Sequence, residues 1–277
     1  TNLTQVCDSG TTGVTNMDVQ EGDGGFGLAF ECKHDSSDYR RYITTLDSSS
    51  ASYQTTEIEQ DSSSKSLSIS WNAVASAYGI ARSGKFFRYD QDANPIGGPI
   101  FITSNTLHSF SSVNGEWVIF HSSYGDRNRC SKISSIGTLL CNAKTVDSGV
   151  YGLVGDGSVF RIDSAFRFLT SSFDVSSCST SNESAQWTPT NKDYNGNFGY
   201  HGLELSSDLS AFLFKTKQNL VVATYPRTGT FAIQAESSVT GFSTLTSGSM
   251  LKANDKLYVS YIKDGEAYVS VSDKIIE

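Results

Sequence analysis

The sequence predicts an all-β fold, a β-propeller of six four-stranded blades forming one domain over residues 1–277. Three observations predict it. The chain is rich in Gly, Ser and Thr and carries 16 Phe and 13 Tyr against only 4 Pro, with no leucine-rich amphipathic stretch. Aromatic and β-branched residues fit a pleated surface. A pattern of apolar strand, short polar turn and apolar strand recurs six times, its first strands beginning at Phe26, Tyr78, Trp117, Tyr151, Ala211 and Leu257. Counted around a closed ring, the mean spacing is about 46 residues, close to one four-stranded propeller unit. Finally, a second hairpin follows the first in five of the units, as in FRYDQDANPIGGPI and ATYPRTGTFAIQA. Five or seven blades are the alternatives. A two-domain β-sandwich leaves the repeated double hairpin without a reason.

Each element has a local justification. Inner strands precede the hairpins most clearly in SLSISWN, HSFSSVNG, YHGLELSSD and TSGSMLKAN. Asp156-Gly157 and Asp264-Gly265 mark tight hairpin turns, because glycine accepts positive φ without a Cβ clash. The unit at Tyr151 shows no convincing inner strand, and residues 174–198 read as an unusually long link. The last unit stops at KIIE after three strands. The N-terminal TNLTQVC is expected to supply its fourth strand, so that the two ends of the chain close the ring. DQDANPIGGPIFIT, Asp90 to Thr103, opens like a calcium loop, but Pro95 and Phe101 stand where an EF-hand needs Gly and a bidentate Glu. Asp47 and Asp163 hold the equivalent place in other units. The motif is therefore read as a turn whose carboxylate bonds the backbone two residues on.

The segment Ser66 to Ser104 resembles the repeat of secreted bacterial β-propeller proteins. Trp71, Asn72, Asp92, Asn94, Pro95, Gly97 and Gly98 carry the resemblance, and Arg82 stands where that family often has Trp. The resemblance implies a propeller fold and secretion. Its members include surface, adhesive and sugar-binding proteins.

The formal net charge is -8 and no basic stripe stands out, which argues against nucleic-acid binding. No apolar run approaches the roughly 18 residues needed to insert in a bilayer. The N-terminus has neither a charged n-region nor an apolar h-region, which fits a cytosolic protein without its Met or a mature fragment; the second, of a secreted or cell-surface protein, is the favoured reading. The sequons at Asn2 and Asn182 are compatible with that reading. Among the five cysteines no CxxC occurs. Cys130 and Cys141 are expected to face each other across a hairpin as a disulfide, Cys7 and Cys32 to pair near the ring closure, and Cys178 to remain over.

Ligand contacts are expected where inter-blade links and first-hairpin turns gather on one face. The longest link, Ser184 to Gly202, offers Trp187, Asn191, Asp193, Tyr194, Tyr200 and His201. Aromatic faces stack on sugars, and Asn and Asp bond sugar hydroxyls. The turn GDRNRC adds Tyr124, Arg127 and Arg129, whose guanidinium groups suit planar oxyanions. No cofactor and no metal site is expected: His34, His108, His121 and His201 lack ligand spacing. The channel carboxylates Asp18, Glu21 and Glu204 are too scattered in sequence to nominate a glycosidase pair, and no Gly-x-Ser-x-Gly occurs. The expectation is a non-enzymatic recognition module for a glycan or protein partner. A divergent glycan-cleaving enzyme is the alternative.

Overall fold

The computed structural model describes residue 7 and residues 13–48, 53–104, 106–123, 126–146, 152–153, 158–162, 168–187, 201–206, 208–215, 219–226, 235–240, 245–253, 255–263 and 266–272. Among these residues all regular structure is β. The first sheet holds β1 (Gly13–Gly22), β2 (Gly25–Lys33), β3 (Tyr39–Asp47) and β4 (Tyr53–Asp61). The second holds β5 (Leu67–Asn72), β6 (Ala77–Arg82), β7 (Lys85–Tyr89) and β8 (Ile100–Phe101). The third holds β9 (Thr106–Val113), β10 (Glu116–Ser123), β11 (Asp126–Ile133) and β12 (Leu139–Thr145). The fourth holds β13 (Gly152–Leu153), β14 (Ser158–Ile162), β15 (Phe168–Asp174) and β16 (Ser179–Trp187). The fifth holds β17 (His201–Glu204), β18 (Leu209–Lys215), β19 (Asn219–Pro226) and β20 (Ala235–Thr240). The sixth has three described strands, β21 (Leu245–Ala253), β22 (Lys256–Lys263) and β23 (Glu266–Val271).

Every sheet is an antiparallel meander in sequence order. The first strands lie side by side in the order β1, β5, β9, β13, β17, β21 and back to β1. That closed circle of inner strands is a propeller, with five four-stranded blades and a three-stranded sheet between the fifth and the first. Residues 1–6, the expected closing strand, lie outside the described residues, as do the turns at Asp156-Gly157 and Asp264-Gly265. The β9–β10 hairpin turns at Asn114-Gly115, which the sequence reading places within the inner strand, with φ of 52° and 77°. The Asp90 turn is as read from sequence: its Oδ1 accepts the N–H groups of Asp92 and Asn94 at 2.9 and 2.8 Å.

The fourth sheet corrects the sequence reading. The strand beginning near Tyr151 is the inner strand itself, β13, rather than the second strand of its unit. The whole unit is thereby shifted by one strand. The missing outer strand is taken from the supposed link, so that Ser179–Trp187 pairs with β15 as β16.

Neighbouring inner strands share no backbone ladder, and buried side chains bridge them instead. The Ile69 N–H donates to Asp18 Oδ2 at 2.9 Å, joining β5 to β1. The Ser112 N–H donates to Ser70 Oγ at 2.9 Å, joining β9 to β5. The Leu153 N–H donates to Ser109 Oγ at 2.9 Å, joining β13 to β9. The ring closes where the Val19 N–H donates to Ser249 Oγ at 3.3 Å and the Ser249 hydroxyl donates to Asp18 Oδ1. Asp18, Ser70, Ser109 and Ser249 are all buried. A short polar side chain is the right tool here, because a buried backbone N–H without an acceptor is costly.

Apolar packing repeats in the same spirit. Tyr78 of β6 lies on Gly27 of β2, and Trp117 of β10 lies on Gly79 of β6. A Cβ at Gly79 would sit 2.6 Å from Trp117 Nε1 and 2.8 Å from Phe86 Cε2. The glycine is thus the socket for the next sheet's aromatic ring. Trp117 is fully buried there, with its ring centroid 5.1 Å from that of Phe86.

The first and second sheets share a further device, a buried ion cluster. Arg41 and Glu31 are both fully buried and pair at 2.6 Å. Glu31 also accepts from Thr15, Asn16, Ser64 and the Lys65 N–H. Arg41 Nη1 reaches Glu59 at 3.2 Å, and across the junction Glu59 accepts from Arg82 Nη2 at 2.8 Å and Lys85 Nζ at 2.9 Å. Arg82 thus contributes to this junction through charge.

Gly79→Ala is expected to lower stability by about 1–3 kcal/mol through overpacking, while Gly98→Ala, which meets no atom within 4 Å, stays within about 0.5 kcal/mol. Urea unfolding of the two variants checks this. Asp18→Ala strips the acceptor from Val19, Ser68, Ile69 and Ser249 and is expected to cost about 1–3 kcal/mol in the same assay, with exposed Asp92→Ala near neutral.

Candidate functional site

The inner strands leave a cavity of about 620 Å³ at one end of the central channel. Its wall is built from the C-terminal parts of β1, β5 and β17, with β9 and β21 filling the gaps. β1 and its turn supply Gln20, Glu21 and Asp23. β5 supplies Ser70 and Trp71, β9 supplies Ser111 and Ser112, β17 supplies Glu204, and β21 supplies Lys252. On β5, Ile69 faces the core while the following residues Ser70 and Trp71 reach the cavity wall.

Trp71 is fixed from behind by Tyr78, with ring centroids 4.8 Å apart in an edge-on arrangement. The residue after it, Asn72, holds the turn. Its Oδ1 accepts the N–H groups of Val74 and Ala75 at 3.0 and 3.1 Å, and its Nδ2 donates to Gly115 O of the next sheet at 2.9 Å. The Trp-Asn pair thus divides its labour: one ring toward the cavity, one amide locking the blade. Lys252 is held by donating from Nζ to Leu205 O. Tyr78 lies under this wall, and burial together with nearby Glu21 raises its phenol above the ordinary range. It stays neutral behind the Trp71 ring. The cavity mixes one indole face, three carboxylates, one ammonium, one amide and several hydroxyls. This set suits a hydroxyl-rich ligand of a few rings, since pockets of roughly 300–1,000 Å³ hold such molecules.

The cavity is not on the face expected from sequence. It lies at the end where inner strands turn into second strands, whereas inter-blade links meet at the opposite end. Glu21 and Glu204, far apart in sequence, line the same space from the first and fifth sheets. Asp18 has a different task, being buried in the inter-strand bridge. A signal was present in the polar ends of the inner strands, QEGD, SWN and SSVN.

Tyr124, Asn191, Asp193, Tyr194 and Tyr200 lie outside the described residues. Trp187 and His201 are not loop residues: Trp187 ends β16 opposite Phe168, and His201 begins β17 opposite Leu213. Arg127 and Arg129 belong to β11 rather than to a turn. Arg129 Nη1 donates to Ala143 O at 3.1 Å and to Thr145 Oγ1 at 2.7 Å, so it is engaged within its own sheet. Cys7 and Cys32 form a disulfide. The Cys130–Cys141 pairing is not formed: Cys130 lies opposite Lys144, and Cys141 opposite Lys132. Irregular register along β11 and β12 carries the two thiols out of line. Among the described residues no three His, Cys, Asp or Glu side chains gather in a way that could hold a metal ion. No described helix is long and apolar enough to cross a membrane.

No protein-family model matches the chain, and no curated protein matches it. Solved structures match it in fold. A lectin from Aleuria aurantia in complex with α-methyl-L-fucoside is similar at 10% identity and a TM-score of 0.56, over 94% of each chain. The β-propeller domain of Cps50 (Swd1) from Myceliophteria thermophila is similar at 9% identity and a TM-score of 0.51, over 92% of this chain and 82% of the other. A protein from Lactobacillus plantarum is similar at 9% identity and a TM-score of 0.51, over 95% of this chain and 84% of the other. Identities this low show the fold alone, and that fold is the β-propeller.

His121 has a structural place in the third sheet. It is fully buried on β10, with Nε2 2.9 Å from Ser131 Oγ. Burial, and after it the charges of His108 and Arg129, holds its pKa down at about 4. Below pH 6.5 the unfolded chain takes up a proton that the folded chain refuses until about pH 4. The neutral ring therefore contributes stability above pH 6.5 that is lost as pH falls to 4, by about 2–3 kcal/mol. His121→Asn is expected to be less stable at pH 7 but to lose less between pH 6.5 and 4, as chemical unfolding at several pH values will show.

Proposed function

We propose that this chain is a secreted or cell-surface recognition module that binds a glycan in the channel-end cavity, and that it does so without catalysis. The observation that carries the reading is the composition of the cavity wall, where Trp71 offers an aromatic face amid Glu21, Asp23, Glu204, Gln20 and serine hydroxyls. Stacking on the apolar face of a sugar ring and accepting its hydroxyl protons requires this mixture. A lectin fold among the similar structures and the resemblance of residues 66–104 to secreted bacterial repeats both support it. The three carboxylates favour neutral or amine-bearing sugars over sulfated or uronic ones, because like charges repel in a partly closed space.

A second reading rests on Glu21 and Glu204, which bring carboxylates from two sheets to one cavity, the raw material of a glycosidase. Binding without turnover separates the two.

A glycan array followed by calorimetry tests the proposal. Trp71→Ala is expected to weaken binding at least about tenfold with the fold intact, the loss of one stacking contact of about 1.5 kcal/mol. Glu204→Gln is expected to weaken it less. Binding unchanged in Trp71→Ala but lost in Trp187→Ala would move the site to the opposite face. Release of reducing ends from the bound glycan, abolished in both Glu21→Gln and Glu204→Gln, would establish the enzymatic reading instead.

A further inference from the structure

Three cysteines outside the cavity converge between the third and fourth sheets. Cys130 on β11 is fully buried, and its Sγ lies 2.9 Å from Sγ of Cys178, itself buried, in the turn between β15 and β16. Cys141 on β12 is partly exposed and packs against the same cluster. The turn is strapped to the third sheet by two lysines. Lys132 Nζ donates to Val175 O at 2.6 Å, and Lys144 Nζ donates to Ser177 O. Cys178 has positive φ, 50°, so the turn holds its thiol toward β11 rather than along the strand.

We propose that Cys141, Cys178 and Cys130 form a thiol–disulfide exchange site, in which a small-molecule disulfide such as oxidised glutathione enters at Cys141 and the oxidation ends as a Cys130–Cys178 disulfide joining the third and fourth sheets. The chemistry balances in three exchanges. Cys141, as thiolate, attacks one sulfur of the external disulfide. That S–S bond breaks, and the first small thiol leaves carrying the proton Cys141 gave up. Cys178 then attacks Cys141 Sγ, and the second small thiol leaves with the proton of Cys178. Cys130 finally attacks Cys178 Sγ, and Cys141 departs as a thiol with the proton of Cys130. Two protein thiols are oxidised by two electrons, and one external disulfide is reduced to two thiols.

Geometry and electrostatics assign the roles. The exposed thiol is the only one of the three that a dissolved disulfide reaches without opening the core. Cys178 is the internal nucleophile. The hydrogen bond from Cys130, then the charges of Lys132 and Lys144, hold its pKa down to about 7. A thiol titrating near ambient pH is the best attacker in such exchanges. Cys130 is the opposite case, its pKa pushed up by the hydrogen bond to Cys178 and by burial. It reacts last and gives the shielded product. The two sulfurs need to close by only about 0.9 Å to reach bonding distance.

The test uses the full chain, reduced and then exposed to oxidised glutathione, with thiols alkylated at intervals and peptides mapped by mass spectrometry. The expected product links the peptides of Cys130 and Cys178 and leaves Cys141 free. Cys141→Ser is expected to form the same link at least about tenfold more slowly. Cys178→Ser is expected to retain glutathione stably on Cys141. Three free thiols in the wild-type chain, or glutathione remaining on Cys141 there, would overturn the proposal. So would a Cys141→Ser chain that oxidises at the wild-type rate. The wild-type map alone decides the main claim if a serine variant fails to fold.

Discussion

The fold depends on how strands that cannot pair are nevertheless joined. A propeller's inner strands run side by side around a channel, each committed on one side to its own sheet. Their remaining backbone groups face a neighbour too distant for a ladder. In this chain Asp18, Ser70, Ser109 and Ser249 answer that constraint, each offering a side-chain oxygen to a backbone N–H of the adjoining inner strand. The acceptors are buried, so water does not compete for them. A carboxylate stands where three inner strands meet, because only Asp18 must serve β1, β5 and β21 together. Its two oxygens divide between the two neighbours.

The site follows from the same geometry. Side chains that bridge strands fill the middle of the channel, and the positions just beyond them are released from that duty. Gln20 and Glu21 follow Asp18 on β1, and Trp71 follows Ser70 on β5. The bridging layer thus forms the floor, and the residues one to three positions farther along form the wall. Glycine sockets and the charged cluster around Arg41 hold the sheets at fixed angles behind it. Functional groups on strands so braced lose little freedom on meeting a ligand.

Much of the architecture was legible because hairpins write themselves locally. The Asp90 turn acts through bonds a few residues long. The fourth sheet was misread for the same reason. A two-residue inner strand, Gly152–Leu153, leaves no periodicity to detect, and only its place between β9 and β17 identifies it. The site was less legible. Glu21, Trp71 and Glu204 meet through ring closure, a relation that no window of sequence contains. Arg129 and Trp187 looked like loop residues because turn boundaries blur in Ser- and Asn-rich sequence. Their strand pairing is set by partners across the sheet. The thiols were misassigned by register: a hairpin drawn without bulges puts Cys141 opposite Cys130, and the irregularities in β11 and β12 remove it.

The bond between Asp18 and Ser249 spans a sequence separation of 231 residues. Until the sixth sheet exists, β1 has a neighbour on only one side, and its buried carboxylate lacks the Ser249 hydroxyl. A ribosome emitting this chain from the N-terminus releases the first sheet well before the completing hydroxyl, which follows 231 residues after Asp18. Sheets can form as they emerge, each from local hairpins. Closure must wait, and the entropy of bringing distant ends together is met in a single late step. Among the six sheets, the first inner strand therefore waits longest for its second neighbour. It is the place where a chaperone, or a premature partner, would have the most time to act.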